Sequence, residues 1–349
     1  MVRFYLKAEV VLFASMANDS DQGFLPDPRG IEGCYGAIYE LPYRRQLSDG
    51  FEDGTVLFSE KHLYNENEPI ATRMWTLQEE RANIRGLHFG SRQVCWICKE
   101  SQWVDGGRMK PNLNYGFDFN SVQDKSSHIL LMEWGDEVAG FSSREFSARS
   151  TVSERLSAFS LTVQQHASKC GWPLEQYHIG LWNIDFPWSL LWKRAAPRPC
   201  QVLDGPSWSW LSVIGQVEYP FAIQVSWKKL YRSEIQQFPA DVTGQAPLIL
   251  TGRTMNIFHN GRRDVPPYER ESDPAGFVWD IELEPQPMWL LEVMVDERKA
   301  RTRGLILRRG RPHQDSFRRC GYFEVNSAED FDPGYNPSEW SEVKALSIF

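Results

Sequence analysis

Apolar and polar residues alternate in short blocks along most of the chain, with two stretches of helical period set among them. Residues 1–30 begin with an apolar block, and Glu9–Ala14 reads as a buried strand that runs into the polar turn Asn18–Gly23. Between residues 31 and 68, short apolar pieces (Tyr35–Tyr39 and Thr55–Phe58) stand among Gly, Asp and Pro and predict strands and loops. The period then changes. Ile70, Met74, Leu77, Arg81 and Ile84 recur at helical spacing, so residues 69–85 predict a helix. Pro69 suits its first position, where the missing N–H would have had no partner, and Gly86 suits its stop.

A hairpin follows, with Leu87–Phe89 and Arg92–Cys98 joined by Gly90-Ser91. Residues 101–128 are rich in Gly, Asn and Asp and predict a long loop, and 129–150 lead into a second helix. Thr151-Val152-Ser153-Glu154 has the spacing of a capping box, in which each end residue satisfies the other's backbone N–H. Val152, Leu156, Phe159, Val163 and Ala167 form one apolar stripe, ended by Gly171 and Pro173. A short helical or irregular piece spans Tyr177–Trp192, and Pro206–Trp210 reads as the opening of a strand. Beyond it the runs Ala222–Val225, Leu248–Leu250, Trp289–Met294, Leu305–Leu307 and Gly321–Val325 have strand length. The pattern as a whole is α+β with a β-rich C-terminal part.

Composition changes this picture in three ways. A chain of 349 residues is long enough for one large or two modest domains. Its 14 tryptophans imply a core built of large plates, the alternative being a sugar- or lipid-binding surface. The net charge of −8 argues against non-specific nucleic-acid binding, which needs a basic face. The basic run Arg301, Arg303, Arg308, Arg309 and Arg311 flanks Leu305–Leu307 and reads as the ends of a strand pair. Six cysteines are too few for a disulfide framework and read as thiols in a reducing compartment, so the expected location is cytoplasmic. Glu9 interrupts the first apolar run, which leaves too short a core for a signal peptide, and no run reaches membrane-spanning length.

The sequence holds no HExxH, GxSxG, phosphate-binding loop or dinucleotide glycine fingerprint, and no cofactor is expected. Cys95 and Cys98 with His88 make half a zinc site, but no second pair follows and residues three apart on a strand face opposite ways, so no metal is expected. Glu79 is a carboxylate beside Gln78 and Trp75, with Arg73 six residues earlier. It fits a general base in a cleft, but reads first as a buried hydrogen-bonded anchor between helix and sheet. Arg73, Glu79, His88 and His178 are the catalytic candidates.

Several blocks in order resemble fungal heterokaryon-incompatibility (HET) domain proteins. Arg73–Glu79 followed by Arg85–Phe89 is similar to "R-x-W-T-x-Q-E … R-x-L-x-F". Tyr5, Ala8 and Asn18–Phe24 look like "Y-x-x-A … G-F". Trp134, Phe141–Phe146 and Ser153–Ala158, including Arg155, resemble "W … Y-S-x-R … D-R-L-x-A", with Phe141 and Glu154 standing for Tyr and Asp. Tyr177–Trp182, Leu190–Trp192 and Pro206–Trp210 resemble "Y-x-A-G-L-W … L-L-W … P-S-W-S-W", and Arg318–Phe323 a closing "R-x-G-x-F" strand.

The family's opening strands, "L-S-Y-C-W-G" and "W-I-D-x-L-C-I-x-Q", have no counterpart. The resemblance therefore implies a member lacking the N-terminal half of the HET domain. Residues 1–90 would be the end of that domain, a partial α/β, TIR-like remnant; 91–205 would link it to a β-rich region at 206–349. It implies a role in non-self recognition and cell death through a protein partner or self-association, with no nucleic acid and no membrane, by a truncated or degenerate member. The alternative it implies is an enzyme, cleaving NAD at a TIR-like site or transforming a secondary metabolite in a Trp-lined pocket. Trp75, Gln78, Glu79, Arg155, Trp182, Trp192, Ser207, Trp208 and Trp210 are its motif residues, expected to be structural.

Overall fold

The computed structural model describes residues 2–24, 38–59, 68–82, 85–91, 94–98, 101–104, 107–108, 127–146, 150–196, 201–219, 231–238, 247–256, 277–280, 287–296, 301–310, 316–325 and 340–349. They fall into two compact units, Met1–Gln123 and Asp124–Phe349. The hairpin across residue 90, where the sequence reading ended its first segment, lies inside the first unit. The architecture is α+β, with strands predominating. No helix among the described residues is long and apolar enough to cross a membrane.

The first unit opens with a helix where only a strand was expected. Helix α1 (Val2–Lys7) precedes a short strand β1 (Val11–Phe13). Tyr5 and Ala8 pack on a small core of Val11, Phe13 and Ile70. The expected helix over 69–85 is two pieces, α2 (Pro69–Thr72) and α3 (Thr76–Ala82). Arg73 between them is extended, at φ −82° and ψ 139°. The Thr76 hydroxyl explains the break, because it donates to the carbonyls of Ile70 (2.5 Å) and Arg73 (2.8 Å) that a continuous helix would have given to backbone N–H groups.

Strands β2 (Ile38–Leu47) and β3 (Gly50–Ser59) form a separate two-stranded hairpin with an unbroken register from Ile38↔Ser59 to Leu47↔Gly50. The apolar pieces Tyr35–Tyr39 and Thr55–Phe58 had marked only its far end. β1 pairs in parallel with β4 (Arg85–Phe89), which forms the expected hairpin with β5 (Val94–Cys98), but Phe89 pairs with Val94, so four residues, 90–93, join the strands and not the two of Gly90-Ser91. The Glu68 carboxylate fixes that turn, accepting from both the amide and the hydroxyl of Ser91 at 2.7 Å. Part of the expected loop over 101–128 is strand: β6 (Gln102–Val104) and β7 (Gly107–Arg108) complete the sheet order β1-β4-β5-β6-β7.

The second unit begins with α4 (Ser127–Ser142) and α5 (Val152–Cys170). The capping box of α5 forms as read, with Glu154 N donating to Thr151 Oγ1 at 3.2 Å and Thr151 N to the Glu154 carboxylate at 2.9 Å. Gly171 closes the helix at φ 67°, a conformation only glycine adopts without strain. The buried face includes Val152, Phe159, Val163 and Ala167, but Arg155 takes a fully buried place beside them and Leu156 is half-buried.

Two ribbons follow, β8 (Tyr177–His178) with β9 (Leu181–Trp182), and β10 (Lys193–Arg194) with β11 (Val217–Glu218). Pro206–Trp210 does not open a strand. It turns into a short 3-10 helix, Trp210–Ser212, because Ser209 Oγ accepts from Leu211 N at 3.1 Å and donates to Ile179 O at 2.6 Å.

The remaining strands are β12 (Glu234–Gln237), β13 (Leu248–Asn256), β14 (Phe277–Trp279), β15 (Met288–Asp296), β16 (Arg301–Arg309), β17 (Ser316–Val325) and β18 (Ser341–Ile348). They hold four of the five expected runs; Ala222–Val225 lies outside the described residues. Neighbours β13-β15-β16-β17 pair antiparallel, and β18 pairs antiparallel with β13 and parallel with β17. The hydrogen-bond path therefore closes into a ring of five strands, the arrangement that removes sheet edges. Met255, Met288, Leu290, Ile306, Cys320, Phe323 and Val325 form a buried cluster on these strands. Gly304 is required there, since a Cβ on it would lie 1.9 Å from the Leu291 carbonyl oxygen.

Candidate functional site

Of the four catalytic candidates, Arg73, Glu79 and His88 belong to the first unit and His178 to the second. Arg73 is exposed and donates through Nη2 to the Asn18 carbonyl. Glu79, half-buried on α3, interacts with the Tyr5 hydroxyl, and burial followed by that carboxylate pushes the phenol up to about 12. His88 is buried on β4, stacked on Phe13 at 4.3 Å with Ser15 Oγ 3.5 Å from its Nδ1. It also faces Cys95 across the strands. His178 belongs to the second unit, where it stacks on Phe238 at 4.3 Å. Gln78 is buried as an anchor would be, whereas its neighbour Trp75 is 39% exposed. Cys95 is buried and Cys98 half-buried, and no group of three or more potential metal ligands occurs among the described residues.

The motif residues of the second unit do meet, in its core. Trp182, Trp192, Trp208, Trp210 and Arg155 are all fully buried. Trp182 touches Trp134 edge-on at 5.6 Å, and Trp210 stands perpendicular to Phe159 at 5.3 Å. Trp210 Nε1 donates to Gly180 O at 2.8 Å and Trp192 Nε1 to Trp208 O at 3.0 Å, whereas the indole N–H of Trp182 and of Trp208 is buried without a hydrogen-bond partner. Arg155 donates to the carbonyls of Leu211 and Val213 at 2.5 Å each and lies 4.2 Å over the Phe146 ring. Ser207 Oγ accepts from Arg319 N at 2.9 Å and donates to Phe349 O, which ties the turn to β17. These groups hold the core together, and none is left with a reactive end in solvent.

Two buried acids of this unit, absent from the sequence candidates, have contrasting fates. Asp280 is paired. Arg319 Nε donates to it at 2.8 Å, while Nη1 reaches Leu190 O at 2.7 Å, Nη2 reaches Trp192 O, and the guanidinium lies 3.3 Å from the centre of the Trp192 ring. Burial raises the Asp280 carboxyl and lowers the guanidinium, and their mutual contact opposes both shifts. Asp185 is not paired. It lies on the loop after β9, 8% exposed, with Ser189 and its own amide as polar neighbours and no cation against it among the described residues. Burial pushes it up to about 8, and Ser189 and its own amide offset only part of that shift. Tyr219 and Tyr231 both feel its charge. No spacing rule marks Asp185 in the sequence, because its isolation depends on residues from 177 to 231 converging.

Burial also lowers His88 and His166, each to about 4. Both are expected to make the protein acid-sensitive. In the unfolded chain they take up protons as pH falls below about 6.5, before the folded forms can, so stability falls progressively from there towards about pH 4. Asp185 acts with the opposite sign, since its raised value favours the folded state at low pH and that contribution is lost as pH rises through about 8. Thermal midpoints of His88→Phe and His166→Phe relative to the parent chain, pH by pH, isolate the histidines. Differences that do not change between about pH 7 and pH 4 would contradict the assignment. No family model, no curated protein and no solved structure matches this chain.

Proposed function

We propose that the chain is a HET-type protein whose activity is carried by protein–protein contacts, through self-association, rather than by catalysis. The observation that carries this reading is the uncovered apolar face of the β2–β3 hairpin. Directly paired residues of an antiparallel ribbon share a face. Leu41↔Val56, Tyr43↔Gly54, Arg45↔Glu52 and Leu47↔Gly50 therefore lie together, and Pro42↔Thr55, Arg44↔Asp53 and Gln46↔Phe51 lie on the other side. The first face carries Leu41 at 51% exposure, Tyr43 at 42%, Leu47 at 41% and Val56 at 47%. The second carries the Arg44–Asp53 ion pair at 2.6 Å, with Arg44 also lying over the exposed Phe51 ring at 5.6 Å.

An isolated two-stranded hairpin is marginal in water and gains stability when its apolar face is covered. Arg45 and Glu52 make the face self-complementary, since in a two-fold arrangement each meets the opposite charge of the other copy. A TIR-like α/β arrangement in the first unit belongs to the same proposal. It is supported by the order of the sequence blocks and by the parallel pairing of β1 with β4.

The test is the mass in solution of the full chain and of Leu41→Lys/Val56→Lys across micromolar concentrations. The parent chain is expected to dimerise and the variant to remain a monomer with unchanged circular dichroism. A parent chain that stays monomeric, or a variant that dimerises equally, overturns the proposal.

A further inference from the structure

The arginines on the ring strands of the second unit are of two kinds. Arg301 and Arg303 meet Glu324 at 2.7 and 3.1 Å, Arg253 meets Glu292 at 3.3 Å, and Arg319 meets Asp280 at 2.8 Å. Arg309 lies 5.1 Å from the centre of the Trp289 ring. Arg308 and Arg318 have no carboxylate against them among the described residues. They are nevertheless direct partners across β16 and β17. Directly opposed residues of an antiparallel pair stand about 4.5–5.5 Å apart at Cβ, and like charges so placed repel.

Pairing and ring contacts fix the face that the two share. Met288 pairs with Arg308, so Met288, Arg308 and Arg318 stand in a row on the side that carries the buried cluster with Leu290 and Ile306. Trp289, Arg309 and Phe317 stand on the other side, where Phe317 meets Trp289 edge-on at 5.5 Å. Ser316, two residues before Arg318, falls on the side of the arginine pair, and its parallel partner Ser347 falls there with it. Neither serine hydroxyl has a hydrogen-bond partner among the described residues.

Gly310 confirms the arrangement and keeps it open. A Cβ on it would lie 3.2 Å from Ser316 Oγ and 3.8 Å from Arg318 Cγ, so these two side chains flank one spot that residue 310 leaves unfilled. Arg308 and Arg318 are half-buried, which leaves their charges within reach of a solute.

We infer that Arg308, Arg318, Ser316 and Ser347 form a binding site for a phosphate group. The chemistry selects that class. Two guanidiniums offer two charges and the hydroxyls two more donors, which suits a tetrahedral dianion. A carboxylate has one charge and two oxygens, and a single guanidinium satisfies it. A phosphate held between the arginines also turns their mutual repulsion into a shared attraction. The basic run that begins at Arg301 thus splits in use: Arg301 and Arg303 serve Glu324, and Arg308 serves the ligand. The site lies in the second unit and does not depend on self-association through the hairpin.

The experiment titrates the full chain with inorganic phosphate and with glycerol 3-phosphate, against sodium chloride at matched ionic strength, by calorimetry and thermal midpoint. Saturable binding of at least one phosphate probe is expected, with a rise in midpoint that the chloride control does not give. Binding of the ester as tightly as the free anion assigns the site to a phosphorylated molecule; binding of the anion alone assigns it to inorganic phosphate. Arg308→Gln and Arg318→Gln should each weaken binding by at least about tenfold, while Arg309→Gln, on the opposite face, should bind as the parent does. If a glutamine variant fails to fold, Arg318→Lys decides, since an ammonium lacks the fork and should bind several-fold more weakly. Absence of saturable binding with either probe, an equal response to chloride, parent-like binding by the variants at Arg308 and Arg318, or an equal loss in Arg309→Gln would each overturn the inference.

Discussion

Replacing Arg319 by methionine is expected to destabilise the second unit by roughly 3–5 kcal/mol, because it takes from the buried Asp280 carboxylate its hydrogen-bonded guanidinium and leaves Arg194 as the remaining cation acting on it. Arg319 also serves the carbonyls of Leu190 and Trp192 and lies over the Trp192 ring. One side chain thus satisfies groups from the 3-10 turn Trp188–Leu191, the residue after it and the residue after β14. Lysine cannot replace it, since a single ammonium lacks the planar fork that reaches all three acceptors. For a unit of this size the thermal midpoint should fall by on the order of 10 °C. Adding Asp280→Leu to Arg319→Met should recover part of the loss, because removing both charges leaves no buried carboxylate without its guanidinium. Recovery stays incomplete because the two carbonyls still lack a donor. A single variant as stable as the parent chain would show that the ion pair is not the keystone described here.

Trp210→Ala is expected to cost a comparable 3–5 kcal/mol, by a different route. The indole is fully buried against Phe159 and Phe141, so its removal leaves a cavity the size of a large ring. It also ends the donation to Gly180 O at 2.8 Å. Gly180 adopts φ 95°, and a Cβ there would lie 2.8 Å from Trp210 Nε1, so strand turn and indole are fitted to each other. Trp210→Phe separates the two losses. It keeps most of the packing and deletes the donor, and should cost about 1–3 kcal/mol. Chemical denaturation of the three chains measures both steps. A Phe variant as unstable as the Ala variant would mean that the hydrogen bond, not the volume, dominates.

What could be read along the chain was what depends on neighbours in sequence. The α5 capping box and the Gly171 stop each involve residues no more than a few positions apart and formed as read, and the β4–β5 hairpin formed with a connection two residues longer than the Gly90-Ser91 link. The run Leu305–Leu307 lies in a strand buried on both faces, which a continuous apolar run suits, and Leu248–Leu250 lies in one whose burial alternates. The break at Arg73 was missed because one hydroxyl, Thr76, outcompeted an otherwise helical period. The long β2–β3 hairpin was missed because its apolar residues are interleaved with charges on a ribbon exposed on both sides, which lowers the contrast on which periodicity relies.

By itself, then, the sequence determined the α+β class, the caps and turns, and a tryptophan-rich core, since each follows from local pattern or composition. Tertiary structure alone decided the five-strand closure through β18, the pairing of Arg319 with Asp280, and the isolation of Asp185. Those depend on residues tens of positions apart being brought together. Whether a buried charge is paired or left bare is a property of that meeting, and no residue type or spacing carries it in advance.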